Sequence, residues 1–298
     1  MRDLKSYLSA VRSQVEDRLA RYLSENTSHP RLQDAMRYSV MAGGKRLRPV
    51  LCMATAEAVG TDPQVVLPLS CALECIHTYS LIHDDLPAMD DDALRRGKPT
   101  CHVQFDEATA ILAGDALLTL AFGILAAEGV RAVDADQRGR WLMAISKVAS
   151  AAGCEGMVAG QMHDMTAEGT RLSLAELENL HCLKTGKMIE VSVGAAALVC
   201  NATQDEQDCL LLYGQNLGLA FQVVDDILNV TGDPEKLGKS TGTDAVRGKN
   251  TYPTLLGLIG ARQYAADLVN KALKALDGFG TQADRLRAIA RYVTDRDR

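Results

Sequence analysis

The segment from Leu73 to Ile82 reads as an apolar helix interrupted only by Glu74, His77, Thr78 and Ser80, and at His83-Asp84-Asp85 the chain turns polar. Such a run predicts a buried helix whose C-terminal end carries the acidic residues. After Pro99 the next proline is Pro234, and the stretch between them is rich in Ala, Leu, Met and Glu. That texture predicts successive helices. Within it, Ser173 followed three residues later by Glu176 predicts a capped helix start. Period-two alternation is scarce, so strands are not expected. No linker, repeat or low-complexity tract interrupts the pattern. The reading is all-α: one multi-helix bundle domain over residues 1–298.

Two segments break the helical texture. One spans residues 86–100, with Pro87, Gly97 and Pro99. The other spans 231–253, with Gly232, Pro234, Gly238, Gly242 and Gly248. Each directly follows an aspartate pair, as loops at the functional mouth of a helical bundle do.

The second pair carries more information than the first. In Phe221-Gln222-Val223-Val224-Asp225-Asp226-Ile227-Leu228-Asn229, the polar residues fall at i, i+3, i+4 and i+7. They make one polar stripe on an otherwise apolar helix. Carboxylates in such surroundings need a cation. Two aspartate pairs on separate apolar helices therefore predict a facing metal site inside a bundle. All-oxygen ligands favour Mg²⁺, which binds substrate phosphate alongside protein carboxylate.

Charge narrows the choice. The net charge of −6 argues against nucleic-acid binding by general basic attraction. Local cations beside glycines remain: Gly43-Gly44-Lys45-Arg46-Leu47-Arg48, Arg95-Arg96-Gly97-Lys98, Lys184-Thr185-Gly186-Lys187, and Lys239 with Lys249. These are candidate anion sites. The segment Gly232 to Ser240 imitates a P-loop, but five residues separate its glycines and it follows a helix, so nucleotide hydrolysis is rejected. With 47% hydrophobic and 23% charged residues, the 298-residue chain suits a globular protein. Its eight scattered cysteines form no zinc pattern and read as free thiols. The N-terminus lacks a signal-peptide core, and no uninterrupted apolar run approaches the roughly 18 residues of a membrane span. A cytoplasmic enzyme with no membrane span is expected.

These motifs, in this order, resemble the trans-prenyl diphosphate synthases, most closely the bacterial farnesyl diphosphate synthase branch. The resemblance covers nearly the whole chain. It is carried by Gly43 to Pro49, the aspartate cluster from Asp84 to Asp92 with Leu94-Arg95-Arg96-Gly97, Gly156-Met157 with Gly160-Gln161 and Asp164, Lys184-Thr185-Gly186, the second aspartate motif, Gly238-Lys239 and Gly248-Lys249. The resemblance implies an isoprenoid synthase-like bundle around a central cavity, and a homodimer. It implies Mg²⁺, about three ions with substrate bound and replaceable by Mn²⁺, held by Asp84 and Asp90 on one side and Asp225 on the other. Asp85 and Asp226 would support them. Arg95, Lys184, Thr185, Gln222 and Lys239 would hold the allylic diphosphate, with Lys249 closing from a lid loop. Lys45, Arg48, His77 and Arg96 would hold isopentenyl diphosphate. The family usually has Asp where this chain has Asn229, which leaves one metal site with less charge.

The implied reaction joins isopentenyl diphosphate to dimethylallyl and then geranyl diphosphate, giving farnesyl diphosphate. Tyr79 and Ser80 lie about one helical turn before Asp84, and a bulky Tyr79 would form a floor at C15 depth. Geranylgeranyl or geranyl diphosphate synthesis is the alternative within the family. A terpene cyclase would not need the second diphosphate site, and a non-catalytic subunit of a hetero-oligomeric synthase would be expected to lose an aspartate pair. Cys71, Cys75 and Met89 read as packing or loop residues.

Overall fold

A computed structural model describes residues 2–25, 29–231 and 250–295. Helices α1 (Arg2–Glu25), α2 (Pro30–Val40), α3 (Leu47–Ala58) and α4 (Leu67–Asp84) precede a loop and a minimal hairpin, β1 (Leu94–Arg95) and β2 (Lys98–Pro99). After these come α5 (Cys101–Gln104), α6 (Glu107–Arg131), α7 (Ala135–Ala152), α8 (Met157–Thr166) and α9 (Leu174–His181). A π turn, Cys182–Gly186, joins α9 to α10 (Lys187–Val199). The chain continues as α11 (Gln204–Thr231), α12 (Tyr252–Ala275) and α13 (Asp284–Asp295). The all-α expectation is met, and the hairpin holds the only strands among the described residues.

Local chemistry sets the boundaries. Asp106 and Asp134 cap α6 and α7 by accepting from the Thr109 and Gln137 amides. Ser173 and Glu176 form the reciprocal box expected from the sequence. Pro30, Pro68 and Pro253 sit in first turns, where a missing N–H costs nothing. The hairpin turn places Arg96 (φ 54°) and Gly97 (φ 74°) in the left-handed region, as a tight two-residue hairpin turn requires.

Apolar faces decide the packing. Helix α10 is buried along most of its length, from Met188 to Val199, and lies against α3, α7 and α11. Helix α4 packs on α6 and α3, and α11 packs on α12. Counting uninterrupted apolar residues understates this chain's hydropathy. By length and composition, Pro63–Asp84, Glu107–Arg131 and Ala135–Thr166 each reach the level of a membrane span. The first is 78% buried inside the bundle, so its hydropathy is core hydropathy, whereas the second is only 39% buried. The free faces of α6 and α7 expose Ile111, Leu112, Val130, Leu142 and Met143.

Candidate active site

Helix α4 ends at Asp84, and its last turns line a cavity of about 420 Å³. Arg48, His77, Tyr79, Ser80, His83 and Asp84 form one side. Met157, Val158, Gln161, Met162 and Met165 of α8 form another, with Lys184 and Thr185 of the π turn between them. The lining mixes the polar Arg48, His77, Gln161, Asp84, Lys184 and Thr185 with Tyr79 and the methionines. Burial lifts the Asp84 carboxyl from its ordinary 3.8 to about 6; Asp90 and Asp85 push the same way, against Lys184 and Arg95. The loop holds Asp90 beside it, because the Asp90 amide donates to the Asp84 carbonyl at 2.8 Å.

The neighbouring Asp85 has a different environment. It is 3% exposed and grips Arg95 in a fork: Arg95 Nε lies 2.8 Å from both carboxylate oxygens, and Nη2 also donates to Oδ1. Such planar bidentate pairing fixes orientation as well as charge. Asp92 adds a second carboxylate 3.6 Å from Nη2. Tyr38 pins the hairpin from the far side, its hydroxyl donating to the Pro99 carbonyl at 2.8 Å. Arg96, one residue on, donates to the Gly43 carbonyl. Gly44 leaves room for that guanidinium, since a Cβ there would stand 2.6 Å from it, and its φ of 127° also demands glycine.

Beneath the hairpin lies a cationic cluster. Burial, together with the Arg48, Arg96, Arg95 and Arg46 guanidiniums, pushes the His77 imidazole well below its usual range. His77 is therefore neutral among cations, an arrangement suited to an anion. Arg48 Nε and Gln161 Oε1 line the cavity as buried atoms without a partner among the described residues. Arg46, although inside the same motif, has a structural task. It is 2% exposed, caps α3 at φ 49°, and pairs with buried Glu74 at 2.7 Å and with the Val40 carbonyl at 2.6 Å. Lys45 stands apart, exposed over the Phe221 ring at 5.9 Å, beside a second cavity of about 260 Å³ bounded by α1, α3 and α13.

Across the main cavity, the π turn aims Lys184 at Asp164, with Nζ and Oδ2 2.6 Å apart. Two glycines clasp the turn. A Cβ on Gly160 would stand 2.2 Å from the Lys184 nitrogen, and one on Gly218 would stand 3.0 Å from the Gly186 Cα. Seven residues beyond Gly218, on the same face of α11, comes Asp225, half-buried like Gln222. Asp226 is 7% exposed and accepts from the Tyr252 amide at 3.0 Å, which ties α11 to the start of α12. Asn229 is buried at 5% exposure.

Among the described residues, no three acidic, His or Cys side chains converge into a ready-made metal cage. The donor set still fits Mg²⁺. Mg²⁺ keeps several waters and uses one or two carboxylates plus substrate oxygens, and the crowding of Asp84 by Asp90 and Asp85 is a charge excess that a cation would relieve.

The sequence-expected residues fall into groups rather than one place: Gln222 and Asp225 of α11 are not among those lining the main cavity, and Lys45 borders the second. Asp84, Asp85, Asp90 and Arg95 share the end of α4 and the loop, Arg48, His77 and Arg96 share the cationic cluster, and Lys184 and Thr185 face Asp84. Tyr79 and Ser80 line the cavity. Lys239 and Lys249, with the rest of the second loop to residue 249, lie outside the described residues. Met89 corrects the sequence reading: it belongs to the cavity wall rather than to packing alone. The methionine and valine side chains of α8 were not singled out as lining, nor was Gly218. Only the glycine spacing hinted at the clasp.

A sequence profile described as Polyprenyl synthetase matches residues 29–291. A farnesyl diphosphate synthase of Geobacillus stearothermophilus is 47% identical, covering 99% of this chain and 98% of its own. A geranylgeranyl diphosphate synthase of Cyanophora paradoxa is 42% identical over 99% of this chain and 97% of its own. Among solved structures, an apo FPP/GFPP synthase from Zymomonas mobilis has a TM-score of 0.87 at 41% identity, covering 98% of this chain and 99% of its own.

Proposed function

This chain belongs to the polyprenyl synthetase family, and from that premise we propose that it condenses isopentenyl diphosphate with dimethylallyl and then geranyl diphosphate to make farnesyl diphosphate. The observation that carries the reading is the cavity itself, which Asp84, Lys184, Arg48 and His77 line together with Tyr79 and the α8 methionines.

Mg²⁺ held by Asp84, Asp90 and Asp225 would neutralise the allylic diphosphate as it departs. Lys184, Thr185, Gln222 and Arg95 bind that diphosphate, and Asp85 keeps Arg95 aimed. The allylic C–O bond breaks to give an allylic cation, and isopentenyl diphosphate, held by Arg48, His77 and Arg96, attacks it through its double bond. Lys45, which lies over Phe221 beside the second cavity, would have to turn toward that diphosphate to share in holding it. A proton then leaves the new bond's neighbour for the departed diphosphate. Tyr79 and the α8 methionines keep water from the cation. Lys239 and Lys249 are expected to join from the second loop.

The continuous core from Leu4 to Val293 supports one domain. The apolar face of α6 and α7 supports a homodimer. The test is incubation with labelled isopentenyl and dimethylallyl diphosphates, with products sized by mass. Farnesyl diphosphate formed with Mg²⁺, and abolished by chelator, supports the proposal. Full turnover in excess chelator, or no condensation at all, defeats it. A dominant C20 product selects geranylgeranyl synthesis instead.

A further inference from the structure

His83 precedes the first metal-binding aspartate, and the reaction above gives it no task. Its imidazole lines the cavity and meets the Tyr79 ring edge-on, with centroids 5.7 Å apart. On the α6 side, the Ile111 carbonyl accepts from Nε2 at 3.1 Å, which requires the proton on that nitrogen. Asp115 Oδ1 lies 3.9 Å from the same atom. The ring fits there because residue 114 is glycine: a Cβ at Gly114 would stand 2.1 Å from Nε2 and 2.5 Å from Cδ2. Gly114 has no need of a left-handed backbone, since it sits inside α6. The three atoms nearest such a Cβ all belong to the imidazole.

We propose that His83, seated over Gly114, is a positioning residue that sets product length by bracing Tyr79 as the cavity floor. The inference rests on the prenyl-transfer reading above. Tyr79 is 7% exposed and packs into the core, and His83 is the ring it meets edge-on. Removing that ring leaves a gap into which Tyr79 can change rotamer. With His83 bonded to the Ile111 carbonyl, the Tyr79 ring meets a side chain fixed to a second helix. Residue 114 thereby acts on the floor through one intermediary, without touching a substrate.

The two ends of this linkage give opposite expectations. His83→Ala removes the brace and opens space, so the C20 share of product should rise several-fold. Gly114→Ala drives the imidazole toward Tyr79 and the cavity, so the C10 share should rise several-fold. Both are assayed with dimethylallyl diphosphate and excess isopentenyl diphosphate, with products sized by mass and folding checked by thermal melt. Should Gly114→Ala fail to fold, His83→Asn provides the second variant; it lacks the ring and should again lengthen product. A merely structural role would lower stability and leave the product spectrum alone. Unchanged spectra in the folded variants, or shifts in the same direction at His83 and Gly114, overturn the inference. An unmodified chain that makes no prenyl diphosphate overturns the reading beneath it, and the inference with it.

Discussion

The backbone of Lys184 passes so close to Gly160 that α8 and the π turn interlock only because residue 160 has no side chain. A Cβ at 2.2 Å from a backbone nitrogen cannot be relieved by rotating a side chain; the turn itself must move. Gly160→Ala should therefore displace Lys184 and Thr185 together and lower kcat by on the order of 10²-fold, since misplacement of about 1 Å costs that much. Steady-state kinetics on the folded variant check this, and near-normal kcat refutes it.

The acidic positions Asp84 and Asp225 are expected to weigh more than Asn229. Asp84→Asn and Asp225→Asn each remove charge from the expected metal site and should slow turnover on the order of 10²-fold or more. Asn229→Asp should change activity or Mg²⁺ requirement only moderately. The physical reason is role: Asn229 is expected to act through a metal-bound water by its carbonyl, whereas Asp84 and Asp225 are expected to ligate directly. Equal effects at all three positions contradict this ranking.

A pH dependence follows from Asp84. Burial raises its folded-state value from 3.8 to about 6, so the protonated form is favoured on folding. That contribution to stability is complete below 3.8 and is lost as pH rises through about 6. In excess chelator, the melting temperature should fall between about pH 4 and pH 7, and Asp84→Asn should flatten that fall. Melts of both proteins across this range decide it; parallel curves reject the assignment.

Product length should respond to the floor. Tyr79→Ala removes it and lets chains grow to C20 or longer, toward Cys75 and Ile76 one turn deeper. Ser80→Phe fills the cavity beside it and shifts product toward C10. One helical turn rises about 5.4 Å, roughly one isoprene unit. An unchanged spectrum from Tyr79→Ala removes the floor from this account.

Glu74 and Arg46 form an ion pair with almost no solvent access. Glu74→Ala leaves the buried guanidinium with only the partly exposed Glu16 carboxylate, 3.3 Å away, and the Val40 carbonyl, and losing the buried partner costs about 3–5 kcal/mol. Denaturant unfolding should show a loss of that size, and a loss under about 1 kcal/mol would mean that water reaches Arg46.

The helices, the capping box at Ser173 and the aspartate stripe on α11 were legible because each is written in local periodicity. The cluster of Arg48, His77 and Arg96 was reached through motif resemblance, as sequence spacing alone does not bring a hairpin onto the ends of α3 and α4. Within Lys45-Arg46-Leu47-Arg48, four adjacent residues divide among three environments: Lys45 in a second cavity, Arg46 in the core, Arg48 on the main cavity. The left-handed backbone at Arg46 (φ 49°) and the start of α3 at Leu47 separate them. The α8 lining was illegible because methionine at helical spacing reads as ordinary core.

The π turn at 182–186 also bears on how this chain can change over time. It holds one residue more than an α-helical turn needs. Because the wide turn absorbs that residue locally, removing one residue restores α-helical winding and leaves the buried row of α10, including Met188, Ser192 and Val199, facing α3 and α11. What such a deletion withdraws is the bulge that presents Lys184 and Thr185 to the cavity. Shortening the chain here should therefore spare the fold and cost the chemistry, so deletion libraries screened for folding and for turnover should disagree at these five positions.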